Sequence, residues 1–161
     1  MDRSQIIEAL LRDVGPRGLR IARRLVGDDA EDAVQEALLR TSDARDLRDP
    51  TGWFIRVLVN YCLGIQRRRR LLRLLPFTAT DDGEPEPAAD ARLDTMRAGA
   101  RLRRRVAQLP AMQRTVIHLR YGEDLSIAEV AAATGIGEAS VKTHLQRALE
   151  RLRREVSKEE A

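Results

Sequence analysis

The sequence predicts an all-α protein of two small helical domains joined by an acidic, flexible linker. Three observations carry that expectation. Aromatic residues make up only 3% of the 161 residues while hydrophobic residues reach 43%, so a core must be built from Leu, Val, Ile and Ala, which pack helices more readily than twisted sheets. Apolar residues recur at three- and four-residue spacing through most of the chain. The exception is Pro76 to Ala91, where Pro76, Pro85, Pro87, Gly83 and a run of acids stand almost without large apolar residues after Phe77. That is linker composition.

From Ile6 to Leu25 the helical spacing is broken by Gly15, Pro16 and Gly18, so two short helices with a bend are expected. Gly27, Asp28 and Asp29 stop the second and cap a third, Ala30 to Arg40. It buries Ala30, Ala33, Val34, Ala37 and Leu38 and turns Glu31, Asp32, Gln35 and Glu36 outward as an acidic face. Asp49 and Pro50 open a fourth helix, in which Trp53, Phe54, Val57, Leu58, Tyr61, Cys62 and Ile65 form the clearest apolar stripe. On a wheel of about 100° per residue, Arg56, Asn60 and Arg67 fall within roughly 40° of arc at the edge of that stripe.

Beyond the linker, Leu102, Val106 and Leu109 mark a helix ended by Pro110. Val116 and Ile117, with Leu119 or Arg120, mark another that ends near Tyr121 and Gly122. Ser126-Ile-Ala-Glu129 is a capping box, in which hydroxyl and carboxylate satisfy the exposed amides of a helix start. Thr134 and Gly135 close this short helix after Ala133, and another begins near Glu138, giving a helix-turn-helix with a small core of Ile127, Val130, Ala131, Ile136, Val141 and Leu145.

On the last helix Val141, Leu145, Ala148, Leu149 and Leu152 face inward, leaving Glu138, Ser140, Lys142, Thr143, Gln146 and Arg147 to point elsewhere. The amino-terminal end of such a helix enters the major groove in this motif. Lys and Arg donate to guanine edges, Gln to adenine, Ser and Thr to several bases, and all can hold phosphates. The competing reading is a solvated basic face.

Charge supports a nucleic-acid partner by its distribution rather than its sum. Twenty-nine basic residues against 25 acidic ones leave a net +4, too small to decide anything. Basic residues cluster at Arg67 to Arg70, Arg101 to Arg105 and Lys142 to Arg154, whereas Asp81 to Asp94 holds six acids and one Arg. Two basic bodies flank an acidic connector. A lone cysteine, Cys62, excludes an intramolecular disulfide and reads as a small core residue; His118 and His144 stand apart without metal-ligand spacing. No nucleophile, phosphate-loop or cofactor signature is present, and an enzyme is the least favoured class. No segment has the length of apolar chain a membrane span requires, nor does Met1 to Leu11 read as a leader, so the expected place is the cytoplasm, without membrane insertion.

Three segments, in order, resemble the extracytoplasmic-function (ECF) sigma factors of bacterial RNA polymerase. Asp29-Ala-Glu-Asp-Ala-Val-Gln-Glu36 resembles their core-polymerase-binding helix. Trp53-Phe-Ile-Arg-Val-Leu-Val-Asn60 resembles the helix that melts and reads the promoter, and Ser126 to Arg154, with Val-Lys-Thr-His-Leu-Gln-Arg-Ala at Val141 to Ala148, resembles their carboxy-terminal promoter-binding domain. The resemblance implies sigma region 2 at 1–75, an acidic linker at 76–98 and sigma region 4 at 99–156. It implies that Glu31, Asp32, Gln35 and Glu36 dock on core RNA polymerase. Asn60 would then accept a flipped base of the minus-ten element, with Trp53 anchoring the helix beneath it and Arg56, Arg67, Arg68 and Arg73 serving the same strand. Glu138, Ser140, Lys142, Thr143, Gln146 and Arg147 would read the minus-thirty-five element as duplex.

The acidic linker resembles the family's connector through the polymerase cleft, although solubility alone also accounts for its charge. An anti-sigma factor is an implied partner. Leu38 stands where an aromatic residue is frequent and His144 where a basic one is common. The chain ends soon after Val156, so no appended sensor domain is expected. Two rivals stay open: a helix-turn-helix regulator acting without polymerase, which leaves the Glu31 helix and the Trp53 to Asn60 segment unexplained, and a helical protein that sequesters a sigma factor.

Overall fold

The computed structural model describes residues 3–44, 46–74 and 93–159, and the expected linker Pro76 to Ala91 lies outside them. Among the described residues every regular element is helical: α1 (Arg3–Asp13), α2 (Gly15–Val26), α3 (Ala30–Asp43), α4 (Pro50–Arg73), α5 (Leu93–Ala107), α6 (Ala111–Ile117), α7 (Ile127–Thr134) and α8 (Glu138–Glu159). None of these helices is long and apolar enough to cross a membrane.

α1 and α2 meet at the expected bend, with Pro16 in the first turn of α2, where its missing N–H costs nothing. Gly18 faces α4. A Cβ there would lie 2.7 Å from the Phe54 ring, so the missing side chain lets α2 settle onto a fully buried Phe54. Gly27, at φ 61°, ends α2 in a conformation that suits glycine.

Asp29 departs from expectation. It occupies the position before α3 but makes no capping bond through its side chain; its carboxylate instead accepts from the Arg69 guanidinium of α4. Arg69 also donates to the Val26 carbonyl at 3.0 Å, and the Gln66 amide donates to the Leu25 carbonyl at 2.8 Å. Carbonyls left open at the end of α2 are thus closed by side chains of a helix 40 residues on, which ties α4 to the α2–α3 corner.

α4 begins as predicted, Asp49 Oδ1 accepting from Gly52 N at 2.9 Å. Its buried surface is wider than the predicted stripe. Phe54, Leu58 and Cys62 are buried, yet so are Ile55, Val59 and Leu63 in the adjacent row, while Val57, Tyr61 and Ile65 are half-buried and Trp53 is 38% exposed. The reason is that α4 is packed by α2, α3 and α7 together. Burying each large apolar side chain contributes about 1.5–3 kcal/mol. Burial pushes the Cys62 thiol up to about 12, as a core cysteine requires.

In the second half, Val106 and Leu109 are buried but Leu102, expected beside them, is half exposed. α5 rests on α8, and among its described side chains Val106, near the end facing α6, is buried. α6 runs into a π-helical turn, His118–Gly122, closed by Glu123 N donating to the His118 carbonyl at 3.1 Å. Leu119 is thereby fully buried while Tyr121 projects outward. One contiguous apolar core runs from Leu10 to Ala148 and joins both halves of the chain.

Burial, with Arg24 and Arg114 nearby, lowers the His118 pKa from 6.5 to about 4. The unfolded chain therefore binds this proton near 6.5 and the folded chain only near 4. The contribution to stability is fully present above the first value, shrinks as pH falls between them, and is gone below the second, a loss of up to about 3 kcal/mol. Urea unfolding of the wild type and of His118→Gln across this range should show a shallower pH dependence in the variant. Parallel curves would remove His118 from the account.

Candidate nucleic-acid interface

Three surfaces carry the residues singled out in the sequence. The first is the outer face of α3, where Glu31, Asp32 and Gln35 are exposed and Glu36 is half-buried. Glu36 accepts from Arg40 Nε at 2.6 Å, and Glu31 lies 3.9 Å from an Arg23 nitrogen on α2. The face is acidic but partly neutralised at its edges. Such exposed pairs contribute little to stability and leave carboxylates available to a basic partner.

The second surface is a recess lined by Arg40, Trp53, Arg56, Val57 and Asn60. α4 brings four of these to one side because residues three and four apart share a helix face. The Arg56 guanidinium sits 5.8 Å from the Trp53 ring centre, and Arg40 sits 5.4 Å from that of Tyr61. Flat aromatic and guanidinium surfaces beside two positive charges suit an unpaired base and its phosphate. Asn60 is exposed, its Nδ2 donating to the Arg56 carbonyl at 2.9 Å.

Trp53 is a partly exposed wall of this recess rather than a buried anchor. Arg67 and Arg68 are exposed about 10 Å farther along the helix, on a path a strand leaving the recess can follow. Arg69 is withdrawn to Asp29. Arg40 was not anticipated: it comes from α3, and no local pattern announces where α3 crosses α4.

The third surface is the helix-turn-helix. The capping box is complete, with Glu129 N donating to Ser126 Oγ at 3.1 Å and Ser126 N donating to Glu129 Oε2 at 2.7 Å. The Ser126 backbone N–H first, and the Ser126 hydroxyl after it, hold the Glu129 carboxyl below the usual carboxylate range. Gly135 takes the left-handed conformation, φ 75°, that reverses the chain between α7 and α8. Val130, Val141, Leu145 and Ala148 form the buried seam, with Ile127, Ala131, Ile136, Leu149 and Leu152 half-buried around it.

All six predicted reading residues of α8, Glu138, Ser140, Lys142, Thr143, Gln146 and Arg147, are exposed. Thr143 donates to the Ala139 carbonyl at 3.0 Å and Gln146 to Glu150 at 3.1 Å, leaving the Thr143 oxygen and the rest of the Gln146 amide able to meet a base. His144 is half-buried, its Nδ1 enclosed, so it does not belong to the outer face.

Known proteins to which this chain is similar include bacterial sigma factors. Residues 7–71 match the family described as Sigma-70 region 2, and residues 99–152 match Sigma-70, region 4. The chain is 32% identical to RNA polymerase sigma factor SigV of Bacillus subtilis, covering 83% of this chain and 79% of that one. It is 37% identical to RNA polymerase sigma-E factor of Streptomyces coelicolor, covering 86% and 78%. It is 32% identical to ECF RNA polymerase sigma factor SigL of Mycobacterium tuberculosis, covering 83% and 79%. Its fold is similar to that of the sigma factor RpoE from Bartonella quintana, solved in complex with the anti-sigma factor NepR. The TM-score is 0.70 at 24% identity, over 93% of this chain and 96% of that one.

Proposed function

The chain belongs to the ECF sigma factors of the sigma-70 family, and from that premise we propose how its surfaces divide the work. It binds core RNA polymerase and promoter DNA and directs where transcription begins. In our reading residues 1–75 hold the polymerase and the minus-ten element, 76–98 connect, and 99–156 hold the minus-thirty-five element. The acidic face of Glu31, Asp32, Gln35 and Glu36 docks on a basic surface of the polymerase. The Trp53, Arg56 and Asn60 recess receives an unpaired base of the minus-ten strand, whose backbone runs on past Arg67 and Arg68. The exposed residues of α8, from Glu138 to Arg147, read the minus-thirty-five duplex.

The observation that carries this reading is the recess: an exposed tryptophan, two arginines and an asparagine amide gathered where α3 crosses α4. A regulator that reads duplex DNA alone needs only the helix-turn-helix. The chain acts in the cytoplasm, where polymerase and chromosome are, and supplies specificity without an active site of its own. An anti-sigma factor, of the kind crystallised with the Bartonella quintana protein, is its natural regulator.

Run-off transcription on fragmented genomic template with purified core polymerase should give new start sites only when the chain is added; their absence despite core binding would contradict the promoter-directing role. Asn60→Ala should leave core binding intact and lower affinity for unpaired minus-ten DNA, because only the base contact is lost. An equal loss of core binding would assign Asn60 to docking. Lys142→Ala and Arg147→Ala should each weaken minus-thirty-five binding by about 1–3 kcal/mol with relaxed sequence preference if the residue reads a base, or flatten the salt dependence if it holds phosphate. Binding and salt slope both unchanged would remove α8 from the interface.

A further inference from the structure

The end of α4 and the residue that caps it read Arg67-Arg68-Arg69-Arg70-Leu71-Leu72-Arg73-Leu74, and their chemistry is sorted by direction. One side holds the fold. Arg69 reaches the Asp29 carboxylate and the Val26 carbonyl, and Gln66 reaches the Leu25 carbonyl. With Gln66 buried and Arg69 half-buried, that side pins the helix end to the α2–α3 corner.

At about 100° per residue, Arg69 and Gln66 point about 140–160° away from Leu71, so pinning them turns Leu71 outward. Leu74 lies about 60° from Leu71, with Arg67 of the preceding turn between the two directions, and Arg68 and Arg70 flank the pair on either side. The exposures agree. Leu71 is 64% exposed, Leu74 76% and Leu72 43%, and Arg67, Arg68, Arg70 and Arg73 are all exposed. Asp29, the acid that these contacts bring to this end of α4, is taken up by Arg69.

Two ordinary causes account for part of this. Basic residues near a helix carboxy terminus answer its dipole, and a minus-ten strand would account for Arg67 and Arg68. Neither calls for leucines in water on the side opposite the anchor. Leucines turned outward among guanidinium groups fit a surface that offers negative charge with an apolar layer just beneath it. An anionic lipid leaflet is such a surface and requires no groove in the protein, whereas a phosphate backbone offers the charge without the layer.

We propose that this end of α4 is a peripheral docking site for an anionic lipid surface, with Leu71 and Leu74 entering the headgroup boundary and Arg67, Arg68 and Arg70 meeting lipid phosphates. The chain lies on the bilayer there and does not cross it, as the lack of a long apolar helix among the described residues requires. Arg67 and Arg68 also lie on the proposed path of the minus-ten strand. Lipid and promoter DNA therefore compete for them, and a chain held at the membrane is withheld from the promoter. Lipid binding itself does not depend on the promoter assignment.

The test is flotation of the full chain with vesicles of phosphatidylcholine containing about one-third phosphatidylglycerol, against vesicles of phosphatidylcholine alone. The wild type should float with the mixed vesicles only, and detach as salt rises. Leu71→Ser with Leu74→Ser keeps every charge and should lower the partition at least about tenfold, since the apolar burial is lost. Both leucines are exposed, so the core is untouched, which circular dichroism checks. Replacing both by Phe should keep the binding. Arg70→Gln should lower it about fivefold, as expected for one basic residue beside an anionic leaflet.

A serine variant that no longer floats, yet supports core-dependent initiation as the wild type does, is the result expected. Wild type that fails to float with mixed vesicles at low salt overturns the lipid site. Equal partition of wild type and serine variant does the same, because it leaves only attraction between a basic chain and an acidic surface. If the serine variant keeps vesicle binding but loses core polymerase, the leucines belong to a protein partner; if it loses unpaired minus-ten DNA instead, they belong to the strand path. Either result overturns the proposal. Failure of both proteins to initiate overturns the promoter reading and leaves the lipid site to the flotation result.

Discussion

The structure depends on the burial of α4. A 24-residue helix with large apolar side chains in two adjacent rows, Phe54, Leu58 and Cys62 beside Ile55, Val59 and Leu63, cannot be satisfied by one neighbour. It is wrapped by α2, α3 and α7. Gly18 permits the approach of α2, and Gln66 and Arg69 close the end of α2 from α4. The exposed strip that remains, Arg56, Asn60 and Arg67, is held at fixed spacing by everything packed beneath it. A recess on such a helix is preorganised, so a ligand need not bear the entropic cost of assembling it.

Much of this was legible in the sequence because it is local. The Asp49-Pro50 start of α4, the capping box at Ser126 and Glu129, the reversal at Gly135 and the inward stripe of α8 each follow from chemistry within one or two turns of chain. The six exposed residues of α8 could be named for the same reason. What could not be read is what depends on distant chain. Asp29 looked like a cap and became a partner of Arg69; Leu102 fitted a stripe but α5 lies at the margin; Ile55, Val59 and Leu63 are buried by more neighbours than a single stripe implies. Arg40 enters the recess only through the crossing of α3 and α4. The contact of Arg17 and Arg20 with Glu123 spans about a hundred residues of sequence, and no periodicity encodes it.

The charged surfaces differ in how firmly their side chains are committed. Lys142, Arg147, Arg67 and Arg68 are exposed on the surface, where ions and water compete for them. Thr143, Gln146 and Asn60 already hold bonds within their own helices. In the proposed reading these side chains would meet a base partly by exchange of bonds they already hold, a small net gain that favours discrimination over raw affinity. In the proposed reading, whichever of the first group meet phosphates would supply attraction without sequence information.

The buried cysteine sets a limit on how this protein can receive information. Cys62 is the only cysteine in the chain, it is fully enclosed, and its thiol is held protonated at any physiological pH. Oxidants react with exposed thiolates, so Cys62 in the folded chain offers them little.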